Sequence, residues 1–212
     1  RVFDAEASGY GRGEGGGVAV LMRLDDALAD GHEILAVVHG TATNHNGPGP
    51  GMTVPSAEAQ VDVIRAALHD AGVPPERIGY LEAHGTGTRL GDPIEVGAAI
   101  RAMPRGASNP LFIGSVKANV GHLEQAAGMA SLAKAVGVLR NDLVPPQPLY
   151  SRPNPELPTD GTVVVPTAPM PLRGRWVGVS GFGLSGTNAH LVLGPGPERV
   201  AIASKHCASR SW

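Results

Sequence analysis

The alternation of short apolar, β-compatible runs with segments of helical spacing restricts this chain more than any other feature. Ile78 to Ala83 reads as a strand that delivers His84 to its C-terminal end. Before it, Val61, Ile64, Leu68 and Ala71 recur at helical spacing, with Ser56 as N-cap and Gly72 as a C-terminal stop. After it, Asp92-Pro93-Ile94-Glu95 has the form of a helix start, with Asp as cap, Pro at the first helical position and an acid in the first turn. Leu111 to Val116 is a further strand, followed by Lys117 and by a helix from about Leu123 to Leu139 that breaks before Pro145-Pro146. Val18 to Met22 is β-compatible, Leu24 to Ala29 is a short helix stopped by Gly31, and Ile34 to His39 reads as a buried strand. Val163–Val165, Val177–Val179 and His190–Leu193 are β-rich. Such alternation implies an α/β architecture with helices layered on a sheet. Pro145 to Pro158 reads as an extended surface connection, and residues from about Pro195 onward as a loose tail.

Composition narrows the function classes. Hydrophobic residues make up 42% and charged residues 17%, enough for a buried core and against disorder. Net charge is -2 with scattered basic residues, which gives no electrostatic support for a nucleic-acid or anionic-membrane partner. No apolar run reaches the roughly 18 residues that span a bilayer, and nothing after Arg1 resembles a signal peptide. The single cysteine, Cys207, excludes an internal disulfide framework and fits a reducing cytoplasm. The eight histidines show no metal-ligand spacing, so no metal is expected.

Two histidines follow strands and sit in glycine-rich polar turns. These are His84 in His84-Gly85-Thr86-Gly87-Thr88, and His122 in Lys117-Ala118-Asn119-Val120-Gly121-His122. Ligands of α/β sheets gather beyond the C-terminal strand ends, which makes both turns candidate site elements. A third loop, Gly181-Phe182-Gly183-Leu184-Ser185-Gly186-Thr187-Asn188-Ala189-His190, lies between two strands. It could give half of an oxyanion hole, although loop composition alone reads as a tight hairpin. Gly11 to Gly17 is not a phosphate loop, because it precedes a strand and lacks a Gly-Lys-Ser/Thr ending.

Taken together, these segments resemble the ketosynthases of modular polyketide synthases, members of the thiolase-fold condensing enzymes. The residues that carry the resemblance are Phe3-Asp4-Ala5-Glu6 with Gly9-Tyr10 and Gly13-Glu14-Gly15-Gly16-Gly17; Glu82-Ala83-His84-Gly85-Thr86-Gly87-Thr88 through Gly91-Asp92-Pro93-Ile94-Glu95; Ser115-Val116-Lys117 with Asn119 and Gly121-His122-Leu123-Glu124; and Gly186-Thr187-Asn188-Ala189-His190. The resemblance implies a thiolase-like, layered α/β/α fold. Residues 1–33 would end the N-terminal half, 34–194 would form the C-terminal half, and 195–212 a loose tail. It also implies decarboxylative condensation of an acyl thioester with a malonyl-type extender. His84 and His122 would polarise the extender thioester, and Lys117, with an acid such as Glu124 as partner, would support the local charge. Phe182, Gly183, Leu184, Thr86 and Thr88 would line the oxyanion and acyl pocket, with Asn119 and Asn188 in support. No cofactor is implied beyond the phosphopantetheine of an acyl carrier protein, which carries the substrates.

The departures from the family pattern matter as much. A Thr-Ala-Cys-Ser-Ser-like nucleophile turn is absent, and Cys207 follows the final strand. Leu184 stands where many relatives have Phe, Ala118 where Thr is commoner, and Asn46 where Asp is frequent. The expectation is therefore a chain inactive by itself, whose partners are an acyl carrier protein and the N-terminal ketosynthase half. The alternative is a non-catalytic partner, chain-length-factor-like or degenerate, which has no chemical need for His84, Lys117 and His122. Exposed sheet edge and apolar surface favour self-association, homodimers included, but the family's own dimer interface is built largely from the first half.

Overall fold

The computed structural model describes residues 1–48, 54–158 and 161–197. Its centre is a six-stranded sheet in the order β1-β8-β7-β2-β3-β5. The strands are β1 (Ala36–His45), β2 (Ile78–Glu82), β3 (Leu111–Gly114), β5 (Val163–Val164), β7 (Trp176–Phe182) and β8 (Thr187–Pro195). β3, β2 and β7 run parallel, as does β5 beside β3, while β8 turns back antiparallel to β7 and β1 antiparallel to β8. Two short strands, β4 (Leu143–Val144) and β6 (Met170–Pro171), form a separate antiparallel pair.

Helices cover both faces, as the buried strands require. Strand alternation sends Leu81 to one face and Tyr80 to the other. On the first face, Val61, Ile64 and Leu68 of α2 (Ala57–Ala71) and Val96 and Ala99 of α3 (Gly91–Ala102) pack with Ile78, Leu81 and Ile113. On the second, Ala135, Val138 and Leu139 of α5 (Ala127–Asn141) pack with Tyr80, Phe112, Val177 and Val179. The result is the expected α/β/α layering. The Ser56 hydroxyl accepts from the Ala59 N–H at 3.2 Å, and Gly72 closes α2 at φ 63°, so both caps of that helix match the sequence reading.

Other expectations shift. Val18 to Met22 is not a strand: it pairs with nothing among the described residues, and Val18, Val20 and Leu21 are 93%, 87% and 79% exposed. β propensity needs a neighbouring strand and a face to pack on, and the described residues give this run neither. The short helix α1 (Leu24–Ala29) forms as expected. The strand read at Ile34–His39 begins at Ala36 and runs on to His45 as an edge strand, with Leu35 and Val38 exposed. α5 starts at Ala127, because Glu124 to Ala126 forms a tighter 3₁₀ turn and Glu124 sits at φ 52°. Asp92 is inside the first turn of α3, and the Thr88 hydroxyl takes the Gly91 N–H there at 3.0 Å. Residues 198–212, which hold Cys207, lie outside the described residues.

His190 lies wholly buried on β8, with its Nδ1 3.0 Å from the Ser180 hydroxyl of β7. Burial pulls its pKa from 6.5 down to about 3. The unfolded ring takes up its proton near the ordinary value, so stability from the neutral ring is complete above that value and is lost as pH falls toward about 3. Urea denaturation between about pH 6 and 4 is expected to show stability falling more steeply in the unaltered chain than in His190→Gln, by up to about 1.4 kcal/mol per pH unit. Parallel slopes would contradict this.

Candidate active site

The C-terminal ends of β2 and β3 release the chain into two adjacent turns, and each turn presents one of the histidines. Carboxylates hold them there. Glu95 of α3 accepts the His84 N–H and the Gly85 N–H, both at 2.8 Å. Asp92, fully buried, accepts the Gly87 N–H at 3.0 Å and the Phe3 N–H at 2.7 Å. The Ser115 hydroxyl at the end of β3 donates to the Gly85 carbonyl at 3.1 Å, which joins the two turns directly. Gly85 has φ 43°, and a Cβ there would lie 2.6 Å from the Ser115 Cβ. The turn therefore has no room for a side chain at this point.

On the other side, α4 (Lys117–Val120) is a single turn that ends at Gly121, φ 78°. The N-terminal segment clamps this end. The His122 N–H donates to the Gly11 carbonyl at 2.8 Å, and the Gly13 N–H to the His122 carbonyl at 3.0 Å. The glycine-rich run at 11–17 thus lies against the His122 turn.

The two imidazoles meet with ring centroids 5.6 Å apart and planes at 80°. Tyr10 stacks near His122 at 4.6 Å, and Phe182 near His84 at 5.7 Å. In both rings Nδ1 is taken by a backbone donor: Phe182 N–H to His84 at 3.3 Å, and Glu124 N–H to His122 at 3.0 Å. A neutral imidazole has one donor and one acceptor nitrogen, so these bonds put the proton of each ring on Nε2. Neutrality has a physical cause. Burial, then the positive field of Lys117, depresses His84 from 6.5 to about 3. Burial, then Lys117, also lowers His122.

Lys117 is buried, and burial pulls its pKa down against the attraction of Glu95, Glu82 and Asp92. Its acidic neighbours are therefore these three, and not Glu124, which pairs with Arg12 at 3.3 Å. Closeness in sequence points to Glu124, whereas the true partners come from β2 and α3. Asp92 and Glu95 show in the sequence as acids at a helix start, and Glu82 as the residue that precedes Ala83-His84. Burial raises the Glu95 carboxyl in turn.

The 182–187 loop closes the site beside His84. Gly183 N–H bonds the Thr187 carbonyl at 2.7 Å, and Leu184 stands at the tip, 73% exposed. Asn188, buried beneath, donates to Asn44 at 3.0 Å and Asn46 at 2.8 Å, so it ties this loop to the end of β1. Thr86 and Thr88 face each other at 3.5 Å in the His84 turn. Asn119 is exposed and makes none of the described side-chain hydrogen bonds at the site. Among the described residues no group of three or more His, Cys, Asp or Glu could hold a metal, and no helix is long and apolar enough to cross a membrane.

Layering, sheet order and a histidine pair beyond the strand ends define a thiolase-like α/β half. Residues 35–150 match the family described as beta-ketoacyl synthase, C-terminal domain, and residues 153–211 match the ketoacyl-synthetase C-terminal extension. This chain belongs to the beta-ketoacyl synthase C-terminal domain family. It is 48% identical over 199 residues to highly reducing polyketide synthase ZEA2 of Gibberella zeae, covering 91% of this chain and 8% of that protein. It is 46% identical over 200 residues to reducing polyketide synthase hmp8 of Hypomyces subiculosus, covering 91% and 8%. Among solved structures, the oxazolomycin ketosynthase domain OzmH KS7 of Streptomyces albus superimposes with TM-score 0.87 at 40% identity, covering 94% of this chain and 37% of that one. A cysteine-to-serine mutant of the module 6 ketosynthase of the Bacillus subtilis bacillaene synthase gives TM-score 0.82 at 34% identity, covering 93% and 37%. The chain thus spans about a twelfth of these synthases and over a third of the ketosynthase chains.

The His84 ring is expected to remain neutral between about pH 8 and 5, seen as a flat Hε1 shift in a proton NMR titration, and His122 to titrate below the ordinary imidazole value. Lys117→Met removes a positive neighbour and is expected to raise the His84 pKa. A His84 that titrates near its ordinary value of 6.5 would contradict the account.

Proposed function

We propose that this chain supplies the histidine-pair half of a β-ketoacyl synthase active site, for polyketide chain elongation by decarboxylative condensation. The observation that carries the reading is the tautomer of the two rings: both Nδ1 atoms accept backbone N–H groups, so two Nε2–H donors remain on rings 5.6 Å apart by centroid. Two neutral donors on adjacent rings suit an oxygen that gains negative charge during reaction. The kinship to proteins named polyketide synthases and ketosynthases supports the choice of reaction.

In this reading a malonyl-type extender, delivered on acyl carrier protein, sets its thioester carbonyl oxygen against His84 and His122. The bond to the carboxylate breaks, CO₂ leaves, and the electron pair gives an enolate whose oxygen the two N–H groups stabilise. The enolate carbon attacks the thioester carbonyl of an acyl chain held on a cysteine. The tetrahedral oxyanion collapses with loss of the thiolate, leaving the extended chain on the carrier. The Leu184 N–H, with the N–H of that cysteine, receives the oxyanion, while Phe182, Gly183, Thr86 and Thr88 shape the pocket. Lys117 adds its positive field to the burial that keeps the rings neutral, and no cofactor beyond the carrier's phosphopantetheine is needed. Residues 1–33 serve as the end of the N-terminal half, 34–194 as the C-terminal half and 195–212 as a tail.

Transthioesterification needs a sulfur nucleophile at the site, and the described residues contain no cysteine. The 212-residue chain alone is therefore expected to take no stoichiometric adduct from a reactive acyl thioester, as read by intact mass. Adding a cysteine-bearing N-terminal ketosynthase half in trans is expected to give condensation. His84→Ala or His122→Ala should then lower its rate about 10²–10³-fold. A rapid, saturable adduct on Cys207, or a rate indifferent to both substitutions, would overturn the reading.

A further inference from the structure

Behind the two turns, on the α5 side of the sheet, lies a polar cluster that the reaction does not touch. Glu82, fully buried, ends β2 two residues before His84. One of its oxygens accepts the Val116 N–H at 2.6 Å, immediately before Lys117. The other accepts the Tyr80 hydroxyl at 2.6 Å and lies 3.2 Å from the Lys134 ammonium of α5. Gln147 closes the cluster from the extended connection, accepting the Ser115 N–H at 2.8 Å and donating to the Ser115 carbonyl at 3.3 Å. Gly114 leaves space for it. A Cβ there would stand 2.7 Å from the Tyr80 hydroxyl, 3.0 Å from Gln147 Oε1 and 3.4 Å from Lys134 Nζ.

We infer that Glu82, held by Tyr80 and Lys134, is a positioning residue that sets the separation of the two histidines. Its backbone leads into the His84 turn, its carboxylate anchors the amide that opens the Lys117 helix, and its counter-ion sits on the helix that follows the His122 turn. A single carboxylate thus ties the three elements that carry or flank the reactive groups. A plain core side chain could fill the volume but could not hold the Val116 amide and the α5 ammonium together. The inference rests on the proposed function for its catalytic meaning, but the geometry it asserts can be read without catalysis.

Glu82→Gln is the test. A carboxamide cannot accept from Val116, Tyr80 and Lys134 at once, and its NH₂ group would face the ammonium. In the unliganded chain, exchange of the Val116 amide is expected to rise about ten- to hundredfold, and the Hε1 resonances of both His84 and His122 to move. The double variant Glu82→Gln/Lys134→Met removes the conflicting cation, lets the amide oxygen face Val116, and is expected to restore both signals. Mixed with the cysteine-bearing half, Glu82→Gln should lower kcat for decarboxylation with KM unchanged, and the double variant should recover it. If Glu82→Gln does not fold, Tyr80→Phe removes one hydrogen bond and is expected to shift the same signals less. Unchanged ring resonances and Val116 exchange in a folded variant overturn the inference, as does failure of the double variant to rescue them. Absence of decarboxylation in the unsubstituted mixture overturns the functional reading instead, and leaves exchange and ring shifts to decide on Glu82.

Discussion

Everything at the site depends on buried carboxylates that accept backbone amides where the parallel strands end. A strand that stops inside a protein leaves N–H groups that must find partners, and water is largely excluded from these turns. Glu95 takes two such groups, at His84 and Gly85; Asp92 takes Phe3 and Gly87; Glu82 takes Val116. These bonds join different elements, so the site is held by cross-links between them and not by any one loop. The Phe3 bond also draws the N-terminal segment onto the site, where Gly11 and Gly13 pair with His122.

The same carboxylates govern charge. Burial works against every ionised group here: it raises the carboxyls of Glu82, Asp92 and Glu95 and lowers Lys117. Glu95, Glu82 and Asp92 pull the Lys117 value back up against burial, and the histidines feel burial first and the positive field of Lys117 second. Those rings respond by staying neutral. A neutral imidazole with its acceptor nitrogen already engaged has only a donor left to offer, which suits stabilisation of a forming enolate better than proton abstraction.

Much of this is legible in the sequence, and the rest escapes it for definite reasons. Helix α2 with both caps, the β2 strand ending on His84, and the sheet with helices on it follow from periodicity and turn chemistry that act locally. Hydrophobic spacing misplaces the start of α5, because it cannot show that Glu124 takes a left-handed conformation and gives its N–H to His122. Asp92 looks like a cap and Glu95 like a dipole partner, since helix-start chemistry uses the same residue types that serve here as buried anchors. Lys134 and Gln147 leave no signal, and Glu82 shows only as part of the His84 motif without its partners, because these contacts join residues 32 or more apart in sequence or sit inside a strand. Val18 to Met22 has strand composition, but composition cannot supply the neighbouring strand that a strand requires.

The central claim is that both histidines present Nε2–H donors because backbone amides occupy their Nδ1 atoms. A long-range ¹H–¹⁵N correlation spectrum of histidine-labelled chain at neutral pH tests it most directly. The account predicts that His84 and His122 each show a protonated Nε2 and an unprotonated, hydrogen-bonded Nδ1. A protonated Nδ1 on either ring, or a doubly protonated ring, would contradict it.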